Sequence, residues 1–158
     1  ATLGVPVVVD RFAARGPLTG IHAGLKAAET DLCLVVACDL PLVRPALLAL
    51  LGQHVGLSHA VVPYIGDERL PTSAVAASTR DAGLQPLLAA YRRACLEPLE
   101  GLLRTGSFPV SALISVLEAR ILLPDEWRSA DPDGRSFLNV NTPEDLDRAT
   151  ALLARPEP

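Results

Sequence analysis

Three short stretches hold residue types whose spacing suits chemistry. In Cys38-Asp39-Leu40-Pro41 a carboxylate directly follows Leu32 to Cys38, a run that is apolar at every position. Ligands of open α/β sheets bind outside the carboxyl ends of the strands. A hard carboxylate oxygen there suits Mg2+, which takes one or two carboxylates together with phosphate oxygens. The competing role for Asp39 is to end the strand or cap the segment after it. Arg15-Gly16-Pro17-Leu18-Thr19-Gly20 is a glycine-bearing corner opening a helix, where backbone N–H groups and the helix dipole favour an anion. Its glycines equally suit a tight turn with Gly20 packed closely inside the helix. In Asn139-Val140-Asn141-Thr142-Pro143, two amides lie two residues apart, so in extended backbone both face one ligand or metal-bound water. Asn141 and Thr142 also fit a turn and a helix cap, and that reading stays open.

The elements that must position these groups follow from periodicity. Val5 to Val9 is a β-branched run that predicts a strand, and residues 10–16 read as a loop. From Pro17, Leu18, Ile21, Leu25 and Ala28 recur at three- and four-residue intervals and predict a helix with proline in its first turn. The unbroken apolar run from Leu32 predicts a parallel strand buried on both faces. A leucine-rich helix from Pro45 to His54 and a strand over His59 to Tyr64 follow. This alternation predicts right-handed βαβ crossovers and a doubly wound sheet.

Further along, Ala74 to Ala77 reads as a short strand or loop. A strand is expected over Pro86 to Tyr91, then a helix to Arg104, a helix over Phe108 to Leu117 and a strand over Ala119 to Leu123. Phe137 to Val140 reads as a last strand. Thr142-Pro143-Glu144-Asp145 then supplies an N-cap hydroxyl, a first-turn proline and two acids at the positive end of a final helix running to about Ala154. No repeat or long linker divides residues 1–158, so one domain is expected.

Composition narrows the function classes. The 158-residue chain is 49% apolar and 20% charged, which argues for a packed core over disorder. No apolar run is long enough to cross a bilayer. Net charge is −4, and the cations are thirteen arginines and Lys26 without a basic block, so neither a nucleic-acid nor a membrane partner is expected. Cys33, Cys38 and Cys95 are odd in number and lack CxxC spacing, which disfavours a disulfide framework or a zinc site and favours a cytoplasmic protein. His22, His54 and His59 have no ligand spacing, and Trp127 reads as a packing anchor. GxSxG, HExxH and P-loop signatures are absent.

In order along the chain, the motifs resemble those of molybdenum cofactor guanylyltransferases, whose members carry GPLxGxxxGL, CDxPxL and NxNTPEDL segments. Here Gly16-Pro17-Leu18-Thr19-Gly20 extends to Gly24-Leu25, Cys38-Asp39-Leu40-Pro41-Leu42 follows, and Asn139-Val140-Asn141-Thr142-Pro143-Glu144-Asp145-Leu146 comes last. Gln85 to Arg93 is similar to a QPLxAxYR segment of the same family. The ordered set spans nearly the whole chain and is more specific than any one member.

The resemblance implies a Rossmann-like, mostly parallel sheet of the nucleotidyltransferase type in three α/β/α layers. It also implies transfer of GMP from GTP to molybdopterin, with Mg2+ as cofactor and release of pyrophosphate. By motif position, Asp39 would be the catalytic metal ligand. Gly16, Pro17, Leu18 and Gly20 would line the crevice, Asn139 and Asn141 would face the pterin, and Asp10 would contact the nucleotide. Molybdenum-inserting proteins or acceptor molybdoenzymes are implied partners. The family's N-terminal LAGGxSxRMGxDK loop has no counterpart here, so residues before Ala1 are expected to belong to the protein; a chain complete as it stands is predicted to lack GTP-dependent transfer. The alternatives are a relative using CTP or a sugar phosphate, and a noncatalytic nucleotide- or pterin-binding module.

Overall fold

In the computed structural model, residues 4–9, 12, 16–56, 58–66, 83–106, 113–114 and 116–154 are described. Pro17–Ala27 forms α1, with Pro17 in its first turn and Leu18, Ile21 and Leu25 buried as their spacing predicts. Leu32–Val36 is β1, Pro45–His54 is α2 and Ala60–Pro63 is β2. Leu88–Arg92 is β3, and a single 3-10 turn at Arg93–Cys95 leads into α3, Leu96–Thr105. Arg120–Leu122 is β4, Pro124–Trp127 the short α4, and Pro143–Leu153 the final helix α5.

Among the described residues these four strands form one sheet in the order β1-β3-β2-β4. Only β3 runs against its neighbours, while β2 and β4 pair in parallel. β1, β2 and β4 therefore share a direction, and their carboxyl ends meet at one rim. The sheet is thus mixed where a mostly parallel one was expected: three strands share a direction, but β3 between β1 and β2 makes two of the three pairings antiparallel. Alternation along β2 and β3 divides the interior. Ala60, Val62, Ala89 and Tyr91 join the core formed with α1 and α3, whereas Val61, Leu88 and Ala90 join Leu47 and Leu51 of α2 on the other face. Two cores on one sheet give three layers, α/β/α. Tyr91 is wholly buried, its hydroxyl donates to Pro86 O at 2.9 Å, and burial pushes that hydroxyl's pKa up.

Three expected strands differ. Val5 to Val9 is not paired in the sheet, and Val7 is 84% exposed, so a β-branched run without a partner among the described residues stays outside it. β1 lies at a sheet edge instead of being buried on both faces. Among the described residues its sheet hydrogen bonds go to antiparallel β3 alone, and Leu34 and Val36, which share a face, are 45% and 43% exposed. Phe137 to Val140 is not a strand either. Arg135–Phe137 makes a 3-10 turn, and the Val140 N–H donates to Asp39 O at 2.9 Å, not to a sheet neighbour.

The region around Ala74 to Ala77 lies outside the described residues, as does most of the expected helix over Phe108 to Leu117, of which Leu113, Ile114 and Val116 are helical. The ends of the 66–83 segment are tied together where Ile65 N–H donates to Gly83 O at 2.8 Å and Gln85 N–H to Pro63 O at 2.9 Å. The Tyr64 ring lies against Gly66 and Gly83 so closely that a Cβ on either would overlap it.

Candidate active site at the carboxyl rim

Asp39 sits in a turn three residues beyond β1, on the rim where the parallel strands end. One of its carboxylate oxygens, Oδ2, accepts from Asn139 Nδ2 at 3.4 Å. The other, Oδ1, is buried and has no hydrogen-bond partner among the described residues. A carboxylate oxygen held out of water without a donor costs free energy unless something outside the chain satisfies it. Main chain joins the same two segments, because Val140 N–H donates to the Asp39 carbonyl. Residues one hundred apart in sequence thus meet at one point.

The donor set fits Mg2+. Among the described residues no group of three or more His, Cys, Asp or Glu side chains gathers as a metal site. The hard, unpartnered Oδ1 matches an ion that takes one or two carboxylates and leaves its other positions to phosphate oxygens and water.

Asn139 and Asn141 separate in role. The Asn139 amide reaches Asp39, while Asn141 stands at the entrance to α5, its backbone N–H donating to Asp145 Oδ2 at 3.2 Å. That carboxylate also accepts from Thr142 N and Oγ1, and Thr142 Oγ1 accepts in turn from Asp145 N, closing a reciprocal capping box. The Thr142 hydroxyl, ahead of the backbone donors, holds the Asp145 carboxyl below its ordinary range. The positive end of α5 is therefore occupied by the chain's own acid. An external anion finds no vacancy there.

The start of α1 is different. Among the described residues no side chain caps it, and Gly16 has φ 142°, a region that favours glycine. A Cβ on Gly20 would meet no atom within 4 Å, so close helix packing is not what glycine provides at that exposed position. Pro17 occupies the first turn, and the Leu18 side chain is buried in the core, which leaves only its backbone for a ligand. Asp10 lies outside the described residues.

His22, Lys26, Cys95 and Trp127 are held in packing contacts, whereas the Cys38 thiol beside Asp39 is exposed. His22 is buried beneath Phe12, and its Nε2 meets Glu100 Oε1 at 3.1 Å. Lys26 and Arg104 close on the same carboxylate at 3.2 and 3.3 Å, tying α1 to α3. Cys95 donates to His59 O, and burial pushes its thiol up to about 11, too high for a nucleophile at neutral pH. Trp127 is a buried anchor, as its composition suggested, with Nε1 donating to Tyr64 O and its ring edge-on to Phe137.

A cluster around the buried Asp131 and Ser136, with Arg44 and Arg135 half-buried beside them, had no place in the sequence-based expectations. The Asp131 carboxylate is 0% exposed; its Oδ1 accepts from Arg135 N and pairs with Arg44 Nε, both at 3.2 Å, and its Oδ2 accepts from Ser136 N at 2.8 Å. Arg44 N–H donates to Ser136 Oγ at 3.0 Å. The available signal was Asp131-Pro132-Asp133-Gly134, a turn sequence whose first aspartate is placed to bond the main chain just after it.

The fold is that of an α/β domain of the nucleotidyltransferase type, with the Asp39 carboxylate on the carboxyl rim of its sheet. The family model described as MobA-like NTP transferase domain matches residues 1–120, and the chain belongs to that family. A relative from Chloroflexus aggregans, named probable molybdenum cofactor guanylyltransferase, is 37% identical over 147 residues, covering 93% of this chain and 65% of its own length. The molybdenum cofactor guanylyltransferase of Desulfosudis oleivorans is 33% identical, over 93% of this chain and 66% of its own. The solved structure of molybdopterin-guanine dinucleotide biosynthesis protein A from Archaeoglobus fulgidus superposes with a TM-score of 0.68 at 28% identity, over 89% of this chain and 64% of that one. The chain thus spans just under two thirds of the length of these relatives. A cytidylyltransferase from Thermus thermophilus, 18% identical with a TM-score of 0.57, shares the fold.

Proposed function

We propose that this protein transfers GMP from GTP to molybdopterin or its molybdenum-loaded form, with Asp39 as the carboxylate that holds Mg2+. The observation that carries this reading is the buried, unpartnered Oδ1 of Asp39, met by Asn139 from the other motif, in a chain of this family. A terminal phosphate oxygen of molybdopterin forms the new bond to the α-phosphorus of GTP. The bond from that phosphorus to the bridging oxygen of the β-phosphate breaks, and its electron pair leaves with pyrophosphate. A phosphate monoester is largely ionised at neutral pH, with a second pKa of about 6, so the attacking oxygen needs no protein base.

Mg2+, when bound, supplies charge neutralisation for the phosphates and the leaving group. The chain's own groups position: Asp39 orients the ion, Asn139 fixes one carboxylate oxygen, and the uncapped start of α1 with Gly16 and Gly20 admits a ligand close to the backbone. Asn141 lines the pterin side and Asp10 contacts the nucleotide. No helix among the described residues is long and apolar enough to cross a membrane. We place the reaction in the cytoplasm, with delivery of the product to acceptor molybdoenzymes.

The test is GMP transfer by the full-length protein with molybdopterin and Mg2+, comparing GTP with CTP and native protein with Asp39→Ala. GTP is expected to be used over CTP. Losing the ion's contribution of several kcal/mol lowers turnover by at least about 100-fold. Undiminished turnover in Asp39→Ala would overturn the assignment, and a preference for CTP would redirect the substrate.

A further inference from the structure

We infer that Asp131 is a positioning residue for this site, acting with Arg44 and Ser136 to hold the loop that carries Asp39 against the loop that carries Asn139 and Asn141. The inference rests on the reading that Asp39 and Asn139 form one site. Arg44 lies five residues past Asp39, at the head of α2, and Ser136 lies three residues before Asn139. The Asp131 carboxylate and the Ser136 hydroxyl make the bonds that join these segments from behind, through Arg44 Nε and Arg44 N. On the rim itself the joining contacts are the Val140 N–H to Asp39 O bond and the longer Asn139 to Asp39 contact at 3.4 Å.

A carboxylate wholly removed from water is expensive to keep unless its partners are fixed. Here Asp131 fixes one loop by two main-chain N–H groups at Arg135 and Ser136 and the other by a guanidinium. The main chain of Asp131 is anchored in turn, since its N–H donates to Trp127 O at the end of α4, and Trp127 reaches back to Tyr64 O at the end of β2. A continuous set of hydrogen bonds thus runs from the end of β2 to the Asp39 loop. Cutting it at Asp131 leaves the sheet and both cores in place but frees the relative position of Asp39 and Asn139.

The test uses Asp131→Asn in the full-length protein, with Ser136→Ala as a second variant that removes only the acceptor of Arg44 N–H. Two readouts are needed. The first is hydrogen exchange at the Val140 amide, whose acceptor is Asp39 O, against the amides of β2 and β3. The second is the Mg2+ dependence of GMP transfer, resolved into kcat and KM for GTP. Faster Val140 exchange with unchanged β2 and β3 amides is expected. So is a rise of about 10-fold or more in the Mg2+ concentration for half-maximal rate, as for other residues that orient a metal ligand. KM for GTP is expected to stay within about 3-fold, because uniform binding of the nucleotide is left intact.

Should Asp131→Asn fail to fold, Ser136→Ala is expected to show the same pattern in weaker form. Unchanged Val140 exchange in folded variants overturns the inference. So does a lowered melting temperature with kcat and the Mg2+ requirement unmoved, which is what mere structural support gives. Fast Val140 exchange in the variants, together with native activity insensitive to Asp39→Ala, keeps the coupling and removes the functional reading instead.

Discussion

Asp39 presents its two carboxylate oxygens to different surroundings, one against the Asn139 amide and one buried with no donor. That asymmetry speaks against the capping role left open by its place at a strand end, because a capping carboxylate would have its oxygens on main-chain N–H groups, as Asp145 does, and it is the ground for the metal role proposed above. Asn139→Ala removes the amide while leaving an exposed surface, so the melting temperature is expected to hold. The rate of GMP transfer should fall about tenfold, equivalent to about 1.4 kcal/mol. A matching loss of melting temperature would assign Asn139 to stability instead. Gly20 gives a second discriminating substitution. Alanine suits a helix better than glycine by about 0.5–1 kcal/mol, and the added Cβ enters open space. Gly20→Ala is expected to raise stability in urea and also raise KM for a substrate. Higher stability with both KM values unmoved would show that no ligand approaches there.

At the scale of elements, local signals were legible and long-range ones were not. The three- and four-residue spacing from Leu18 to Leu25 placed α1, and Thr142-Pro143-Glu144-Asp145 placed the start of α5, because each is decided within a few residues. Phe137 to Val140 had the composition of a strand. Its fate was decided by a backbone bond to Asp39, distant in sequence, that no local pattern encodes. The meeting of His22 with Glu100, 78 residues away, is of the same kind.

That clasp between α1 and α3 carries a pH prediction. The hydrogen bond from His22, then that from Lys26, lowers the pKa of Glu100. A depressed carboxylate contributes stability that is complete above its unfolded value, about 4.3, and is lost as pH falls through the lower folded value. Glu100→Gln is therefore expected to flatten the acid side of the stability profile and leave its slope near neutrality unchanged. An acid limb that keeps its slope would show that Glu100 contributes nothing to it.

Across the whole molecule, the sheet with a core on each face was legible from the alternation of strands and helices, but the exposure of β1 was not. An apolar run reports what a strand can bury, and Leu34 and Val36 remain exposed because among the described residues β1 pairs on one side only. The interior proper is formed by β2 and β3, where adjacent residues feed opposite cores. Leu51, 0% exposed in the α2 core, illustrates the consequence. Leu51→Ala should cost about 2–5 kcal/mol in chemical denaturation, and the folded fraction should keep its Mg2+ requirement, since Leu51 packs in the core beneath the sheet and not among the rim groups. A changed Mg2+ requirement in that variant would mean the core and the site are not separable.

Asp39 as the carboxylate that holds the ion during nucleotidyl transfer is tested most directly by titrating Mg2+ into the GMP-transfer reaction of the full-length Asp39→Asn variant. The amide keeps the shape and the Asn139 neighbour but removes the charge. A maximal rate lowered by at least about 100-fold, with half-saturation displaced to higher Mg2+, is the predicted result. A native half-saturation and a native maximal rate would contradict it.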